Sequence, residues 1–268
     1  MIDALIFSRN RSMQLNCLLS SLIENSNLSP EKITVLCRYD NEYQKGLEVV
    51  KSLHPKVSFV KEENFEKQVK DYIKFGEKFC VFFVDDIVVK DSIDFSVPCS
   101  IMNSNPDVLT FSLRLGTHLT ECYPVAAKQS VPNGNVTSQF FVWKWRGSHH
   151  DWGYPMSVDG HIFRRPEFEG WSSHLRFNNP NQFESVLQEI PRNFAVPQGM
   201  VCYLNSKILN NPANRVQDEF KNRSESLNSY EDLNNLWEEG FEIDHSKIRG
   251  YLNKAAHEPI NFPMRKRT

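Results

Sequence analysis

The sequence predicts an α/β fold with a central, mostly parallel sheet flanked by helices. Two observations predict it: short apolar runs alternate with amphipathic helical repeats through the first half of the chain, and the connections between them are short. Alternation of this kind gives parallel strands joined by right-handed crossovers. A third observation, polar clusters directly after three of the apolar runs, places a ligand site at the carboxyl edge of that sheet.

The first half of the chain carries the regular part of this pattern. Its apolar runs and helical repeats follow one another without a glycine- or serine-rich linker. Strands are predicted at residues 5–7, 33–36, 57–60 and 81–84, and helices over residues 13–23, 47–53 and 65–73. Because ligands of open parallel sheets bind beyond the carboxyl ends of the strands, the polar residues that follow these runs are candidate site residues.

The second half is less regular and richer in aromatic residues. Strands are predicted at residues 108–113, 140–145, 158–163 and 200–204, and a helix at residues 182–189. The sequence contains neither an internal repeat nor a low-complexity segment. We therefore expect a single domain over residues 1–268, divided into halves of residues 1–90 and 91–268.

The composition is that of an ordinary globular protein and argues against several classes. The chain has 268 residues, 40% of them hydrophobic and 24% charged, and its formal net charge is −2, so no basic field indicates a nucleic-acid partner. Six cysteines without a C-x-x-C pair predict a reduced, cytoplasmic protein without disulfides or structural zinc. No apolar run approaches the ~20 residues that span a bilayer, so any membrane contact is expected to be peripheral.

The strongest chemical signal is a pair of acidic residues, Asp85 and Asp86, directly after the apolar run at residues 81–84. Adjacent carboxylates at the end of a buried strand repel each other unless a cation or hydrogen-bond donors offset their charge. A hard divalent cation with oxygen ligands does this and also bridges a diphosphate. The alternative is a solvated acidic turn, which the buried strand before it makes the weaker interpretation.

Three segments together resemble the GT-A glycosyltransferases. The strand that runs into Asp85 and Asp86 is similar to their D-x-D motif, residues 8–11 to their nucleotide-binding start, and residues 151–165 to their acceptor-side strand. The resemblance spans most of the chain and implies a GT-A Rossmann-like domain. It further implies a nucleotide-diphosphate-sugar donor with UDP or GDP, and Mn²⁺ or Mg²⁺ as cofactor. The half at residues 1–90 would bind the nucleotide, and the half at residues 91–268 the acceptor.

On the donor side, the resemblance implies that Asp86 binds the metal ion and that Asp85 faces the ribose. Direct coordination of the metal ion by Asp85 is the alternative. Ser8, Arg9 and Arg11 are expected to contact the nucleotide, the two arginines because guanidinium groups suit planar oxyanions. The alternative is that one of the two arginines is a solvated residue that opens the helix.

Two further positions match the donor site of this family. Asp40 follows the second strand, where members carry an acidic residue that accepts from the base; the alternative is an aspartate of the turn before Asn41. His257 matches the place where several GT-A enzymes bring a histidine to the metal, and imidazole suits Mn²⁺. The alternative for His257 is an ordinary surface or core histidine.

The catalytic base is predicted at Glu184, near the start of a helix, where inverting members carry an acid. A carboxylate there would accept the proton of the acceptor hydroxyl, with a rate effect of ~10² to 10⁴. Asp159 and Asp151 are rivals for this role, and an exposed helix glutamate is the alternative interpretation of Glu184. Asp151, Trp152 and Tyr154 are expected to bind the acceptor, since aromatic rings stack on sugar faces, but such rings also fill cores.

The function predicted from the resemblance is metal-dependent, inverting transfer of a sugar to a hydroxyl group of a glycan or lipid-linked acceptor, as in surface polysaccharide synthesis. A sugar-nucleotide nucleotidyltransferase is one alternative, but it would need a glycine-rich loop after the first strand, and residues 8–11 contain no glycine. A catalytically silent carbohydrate-binding relative is the other alternative. It would be expected to have lost the acidic pair, which is present at Asp85 and Asp86.

Overall fold

The computed structural model describes residues 1–212 and 229–267. The strands within these ranges are β1 (Ile2–Arg9), β2 (Ile33–Arg38), β3 (Ser58–Lys61), β4 (Phe79–Val84), β5 (Ile87–Val89), β6 (Val108–Ser112), β7 (Glu121–Cys122), β8 (Ala127–Lys128), β9 (Gly134–Val136), β10 (Phe140–Lys144), β11 (His161–Arg164), β12 (Gly199–Tyr203), β13 (Ile208–Asn210), β14 (Phe241–Ile243) and β15 (Met264–Lys266). The helices are α1 (Ser12–Asn25), α2 (Gln44–Leu53), α3 (Phe65–Lys74), α4 (Ser96–Ser104), α5 (Arg165–Ser172), α6 (Pro180–Leu187), α7 (Ile190–Asn193) and α8 (Tyr230–Glu238).

Nine strands form one sheet in the order β3-β2-β1-β4-β11-β6-β12-β10-β9. The first four are parallel to one another, β11 runs antiparallel to both of its neighbours, and β6 and β12 are again parallel. The prediction of a mixed, mostly parallel sheet flanked by helices is confirmed. Strands from residues 1–90 and from residues 91–268 share this sheet, while the domain boundaries themselves stay a prediction.

The inner strands are buried on both faces, which explains their continuous apolar sequence. In β1, Ala4 and Ile6 pack into the core on one face of the sheet, and Leu5 and Phe7 pack into the core on the other face. Helices α1 and α8 cover the first face, and α3, α5 and α6 contribute to the second. None of the helices in the described ranges is long and apolar enough to cross a membrane.

A small antiparallel ribbon connects the end of β4 to the C-terminal part of the chain. β5 follows β4 after Asp85 and Asp86 and pairs with β13, and Asn210 at the end of β13 forms a further bridge with His257. This pairing joins segments that are far apart in sequence, and no local pattern indicates it. It carries the segment around His257 to the carboxyl end of β4.

In the second half, two elements begin at other residues than predicted, one after a glycine and one at a proline. The strand predicted at residues 158–163 begins only at His161, because Gly160 has a φ of +68°, in the left-handed region. A side chain at Gly160 would also collide with Ile208. The predicted helix at residues 182–189 begins earlier, at Pro180, and ends at Leu187.

Candidate active site

A cleft of about 620 Å³ opens at the carboxyl ends of β1 and β4. The loop before β11, the first turn of α6, the end of β13 and the segment at His257 form its other walls. Of the residues predicted from the sequence, it is lined by Ser8, Arg9, Arg11, Asp85, Asp86, Asp159, Glu184 and His257. The structure therefore brings most of the predicted donor and catalytic residues together at one place.

The turn between β1 and α1 is fixed by Asn10, which has a φ of 56° and is buried. Its side chain donates from Nδ2 to Asp40 Oδ2 at 2.7 Å and accepts at Oδ1 from the Asp40 backbone N–H at 2.9 Å. Asn234 of α8 donates to the Asn10 carbonyl at 2.7 Å. Asn10 thus sets the backbone between Arg9 and Arg11, which both line the cleft. Asp40 is exposed, and it is not among the residues that form the cleft wall.

The acidic pair after β4 is held by the β1–α1 turn. Asp85 accepts from the Arg9 backbone N–H at Oδ2 (3.0 Å) and from Arg11 Nη1 at Oδ1 (3.0 Å). The same Arg11 nitrogen donates to Asp86 Oδ2 at 3.1 Å. Burial raises the pKa of Asp86 to about 6, against the opposing effect of the Arg11 charge. Both oxygens of Asp85 therefore have partners, whereas Asp86 Oδ1 has none among the described residues.

His257 is placed by the strand pairing beyond Asp86. The Asn211 backbone N–H donates to the Asp86 carbonyl at 2.9 Å, and Asn210 bridges to His257. The side chain of His257 contacts Asp159 Oδ2 through Nε2 at 2.8 Å. Burial alone would lower the pKa of His257, but the hydrogen bond to Asp159 raises it above its usual range.

Arg114 is a buried cation that the sequence analysis missed. Its Nη2 lies 2.6 Å from Asp151 Oδ1 and its Nη1 3.5 Å from Asp159 Oδ2, and Gln129 donates to the second oxygen of Asp151 at 3.0 Å. The only signal was an arginine between Leu113 and Leu115 in an apolar run. The buried Arg114 guanidinium thus pairs with Asp159, which lines the cleft.

Two expected acceptor residues lie in the interior, away from the cleft. Asp151 is buried against Arg114 and does not line the cleft, so its carboxylate is the partner of an internal ion pair. Trp152 is only 1% exposed, and its ring packs edge-on against Phe141 and Trp143 with centroid distances of 5.7 and 5.0 Å. Its large apolar ring is a core element, because the aromatic neighbours bury it completely.

Glu184 projects from α6, whose N-terminus lies at the cleft. Asn179 caps this helix by accepting from the Gln182 backbone N–H at 2.9 Å. Glu184 Oε1 accepts from Ser157 Oγ at 2.8 Å and from the Val158 backbone N–H at 3.1 Å. Burial raises the pKa of Glu184, and the charge of Asp159 adds to this effect.

Tyr154 is half-buried beside this carboxylate. Burial raises the pKa of its hydroxyl, and the charge of Glu184 contributes to the rise. Of the three acceptor residues expected from the sequence, Tyr154 is thus the one that remains close to the candidate base. Its contact with an acceptor stays a prediction.

The residues of the cleft fit a divalent cation that would also bind a diphosphate. Among the buried atoms of the cleft that could act as metal ligands, three have no hydrogen-bond partner in the described part of the chain, namely Asp86 Oδ1, Asn210 Oδ1 and His257 Nδ1. In the neutral form of His257, with its one proton on Nε2 toward Asp159, Nδ1 presents a lone pair, and oxygen with imidazole nitrogen suits Mn²⁺. Within residues 1–212 and 229–267, no three His, Cys, Asp or Glu side chains form a metal cluster by themselves.

Comparisons with known proteins give a curated relative and several structures of weak overall similarity. No family model matches the sequence. A curated protein, the bifunctional glycosyltransferase pgtA of Dictyostelium discoideum, is 27% identical over 210 residues, which cover 68% of this chain. The chain spans only 27% of the length of that relative. The relative is a glycosyltransferase, the class that the sequence motifs resemble.

Several solved structures show weak overall similarity. TarS of S. aureus has a TM-score of 0.49 at 11% identity, covering 75% of this chain and 34% of TarS. A cytidylyltransferase from Leptospira borgpetersenii has a TM-score of 0.47 at 14% identity, covering 93% and 97% of the two chains. Glucosyl-3-phosphoglycerate synthase from Mycobacterium tuberculosis, in complex with Mn²⁺ and UDP, has a TM-score of 0.33 at 8% identity, covering 42% and 43%. At this level, these similarities carry no argument about the site.

Proposed function

We propose that this protein transfers a sugar from a UDP- or GDP-sugar to a hydroxyl group of a glycan or lipid-linked acceptor, with Mn²⁺ or Mg²⁺ and with inversion at the anomeric carbon. The observation that carries the proposal is the composition of the cleft. One wall presents the paired carboxylates Asp85 and Asp86 with two arginines, and another presents Glu184 with a raised pKa. We also propose a reducing, cytoplasmic setting, because all six cysteines are free thiols.

On the donor side, Arg9 and Arg11 would contact the diphosphate, and Ser8 and Asp85 would face the nucleoside. Asp86 and His257 would hold the cation, which supplies positive charge next to the departing diphosphate. Asp86 suits this role better than Asp85, because only Asp86 has an oxygen without a partner among the described residues. Asp40 would accept from the base. Its side chain and its backbone N–H are both held by Asn10, the residue between Arg9 and Arg11.

On the acceptor side, Glu184 would accept the proton of the acceptor hydroxyl. As that proton leaves, the hydroxyl oxygen forms a bond to the anomeric carbon from the face opposite the diphosphate. The bond between this carbon and the diphosphate oxygen breaks, and the nucleoside diphosphate takes the electron pair. A single displacement of this kind inverts the anomeric configuration, and Glu184 ends protonated.

The donor side is tested by thermal unfolding of the full chain with Mn²⁺, UDP or GDP alone and with Mn²⁺ plus each nucleotide. A ligand at ~100 times its dissociation constant adds ~2.7 kcal/mol to the free energy of unfolding, so the combined ligands should raise Tm. Asp86→Asn should remove the Mn²⁺-dependent part of that rise. Asp71→Asn, at an exposed position of α3, is the matched control and should leave the rise unchanged.

The reaction class is tested by product analysis. Incubation with UDP- or GDP-sugars should release the nucleoside diphosphate, and the product should have the inverted anomeric configuration. Formation of pyrophosphate from a nucleoside triphosphate and a sugar phosphate would instead identify a nucleotidyltransferase. Sugar binding without release from any nucleotide sugar would identify a silent carbohydrate-binding relative.

A further inference from the structure

The contact between Arg11 and the acidic pair has a consequence for the order in which ligands bind. One guanidinium nitrogen, Arg11 Nη1, lies 3.0 Å from Asp85 Oδ1 and 3.1 Å from Asp86 Oδ2. The side chains of Arg11 and Asp86 are each 13% exposed, so water screens these charges little. The repulsion between the two carboxylates is therefore offset within the protein itself.

We infer that Arg11 is an internal counter-ion of Asp85 and Asp86, which makes binding of the divalent cation conditional on the diphosphate. The inference rests on the proposed donor site. With Arg11 in place, one positive charge already neutralises one of the two carboxylate charges. A divalent cation that approaches Asp86 then meets a like charge beside it and a carboxylate that is partly engaged.

A diphosphate changes this balance because guanidinium groups bind phosphate oxygens in a planar, two-point geometry. Arg11 lines the cleft, so a diphosphate bound there lies within reach of it. When Arg11 turns from Asp86 to the diphosphate, Asp86 Oδ2 becomes free beside Oδ1, which has no partner in the described residues. The carboxylate then regains its full charge for the cation, and the diphosphate supplies further oxygen ligands.

Arg11 and the cation are thus alternative partners of the same carboxylates. The opposite arrangement, in which Arg11 stays on the aspartates and replaces the cation permanently, predicts nucleotide binding that needs no metal. The buried, unpartnered atoms of Asp86 and His257 favour the exchange over the replacement, because a permanent replacement would leave both atoms desolvated without a partner.

The test measures Mn²⁺ binding directly, from the electron paramagnetic resonance signal of free Mn²⁺, with and without UDP or GDP. The wild type should bind Mn²⁺ weakly alone and about 10-fold or more tightly with nucleotide, within the range typical of coupled sites. Arg11→Gln should bind Mn²⁺ alone about 10-fold more tightly than the wild type, and nucleotide should tighten Mn²⁺ binding by less than it does in the wild type. Arg11→Lys keeps one charge without the planar fork and should fall between the two.

Arg38→Gln is the matched control, because Arg38 also lines the cleft but pairs with Glu62 and not with the acidic pair. It should leave Mn²⁺ binding in the absence of nucleotide unchanged. If Arg11→Gln and Arg11→Lys both bind Mn²⁺ no better than the wild type, the inference is wrong. Nucleotide binding that survives EDTA in the wild type and is lost in Arg11→Gln would equally overturn it.

The same samples separate this inference from the proposed function. Failure of UDP and GDP to bind the wild type under any condition would count against the proposed donor site. Tighter Mn²⁺ binding by Arg11→Gln would still support the counter-ion role in that case. If UDP or GDP binds the wild type but Arg11→Gln binds Mn²⁺ with the affinity of the wild type, the proposed donor site stands and only the counter-ion role of Arg11 is wrong.

Discussion

Glu184 and Asp159 lie in the same cleft, but their surroundings shift their pKa values in opposite directions. Burial raises the pKa of Glu184, and the neighbouring Asp159 charge adds to this. Burial also acts to raise the pKa of Asp159, but the hydrogen bond to His257 and the charge of Arg114 outweigh it and lower that pKa. A base works best when its pKa lies near the working pH, so Glu184 is the better candidate and Asp159 the better anchor for His257.

Glu184→Gln should lower kcat by ~10² to 10⁴, because the amide cannot accept the proton of the acceptor hydroxyl. The Kd of the donor should change little, since Glu184 acts on the acceptor. Steady-state kinetics together with titration of UDP or GDP separates the two effects. Glu189→Gln, at an exposed position just after α6, is the matched control and should keep full activity.

The pH profile gives the same prediction a second readout. The base must be ionised, so activity should fall as the pH falls through the pKa of Glu184. Because that pKa is raised, the acid limb should lie above the usual range of a glutamate. Full activity of Glu184→Gln, or loss of activity in Asp159→Asn with Glu184→Gln unaffected, would show that Glu184 is not the base.

At the level of elements, the site depends on the turn between β1 and α1. The left-handed backbone at Asn10 suits asparagine, which tolerates this region better than most residues. The same side chain ties the turn to Asp40 after β2, and its carbonyl accepts from Asn234 of α8. Three elements therefore meet at one residue, which fixes the segment that carries Arg9 and Arg11.

Asn10→Ala should lower the free energy of unfolding by about 2 to 4 kcal/mol, from backbone strain and the loss of two hydrogen bonds. Asn10→Gly removes the strain and loses only the hydrogen bonds, so its loss should be smaller, about 1 to 2 kcal/mol. Both variants should raise the KM for the donor, because the arginines on either side lose their fixed backbone. Urea unfolding and donor kinetics measure these effects.

Asn41→Ala, at an exposed position in the turn after β2, is the control for the Asn10 variants and should change stability by less than about 0.5 kcal/mol. Equal losses in Asn10→Gly and Asn10→Ala would show that the left-handed backbone contributes nothing. Wild-type stability in Asn10→Ala would contradict the role of this turn altogether.

At the level of the whole molecule, all six cysteines are buried, five of them in the two cores on either side of the sheet. Burial raises the pKa of Cys37 and Cys80 to about 12 and that of Cys99 and Cys122 to about 11. Burial raises the pKa of the Cys17 and Cys202 thiols still further. The reactive thiolate is therefore scarce at neutral pH in the folded protein.

Ellman's reagent at pH 8 should react slowly with the native protein and rapidly with all six thiols in guanidinium chloride. The native rate then reports opening of the cores, since each thiol must be exposed before it reacts. Cys99→Ser and Cys122→Ser each reduce the final count by one and identify which thiol reacts first. Rapid reaction of any thiol in the native state would contradict the buried placement.

Much of the first half could be predicted from the sequence because its signals are local. The apolar runs of β1, β2 and β4 are buried on both faces of the sheet, so hydrophobic sequence alone locates them. Asp85 and Asp86 follow one of these runs directly, and their position at the edge of a parallel sheet follows from the topology. The second half mixes parallel and antiparallel strands, and there the periodicity predicted β11 with the wrong starting residue.

The remainder of the site depends on contacts that no local pattern encodes. Arg114 looks like a surface arginine until its partners are known, and Asp151 looks like a free carboxylate for the same reason. Trp152 was expected at the acceptor because aromatic sequence does not reveal which side of a loop faces the core. His257 was predicted near Asp86 from a family resemblance, and only the pairing of β5 with β13 explains how it arrives there.

The bridge between Asn210 and His257 also affects how the protein matures during translation. Asp85 and Asp86 leave the ribosome roughly 170 residues before His257, which corresponds to roughly 10 to 30 s at ordinary rates of synthesis. Throughout that interval, β1 to β4 can assemble while the acidic pair has Arg11 as its neighbour and His257 is still missing. In a nascent chain, Arg11 therefore already offsets one of the two charges of the acidic pair, and the last wall of the cleft arrives only after residue 257 has emerged.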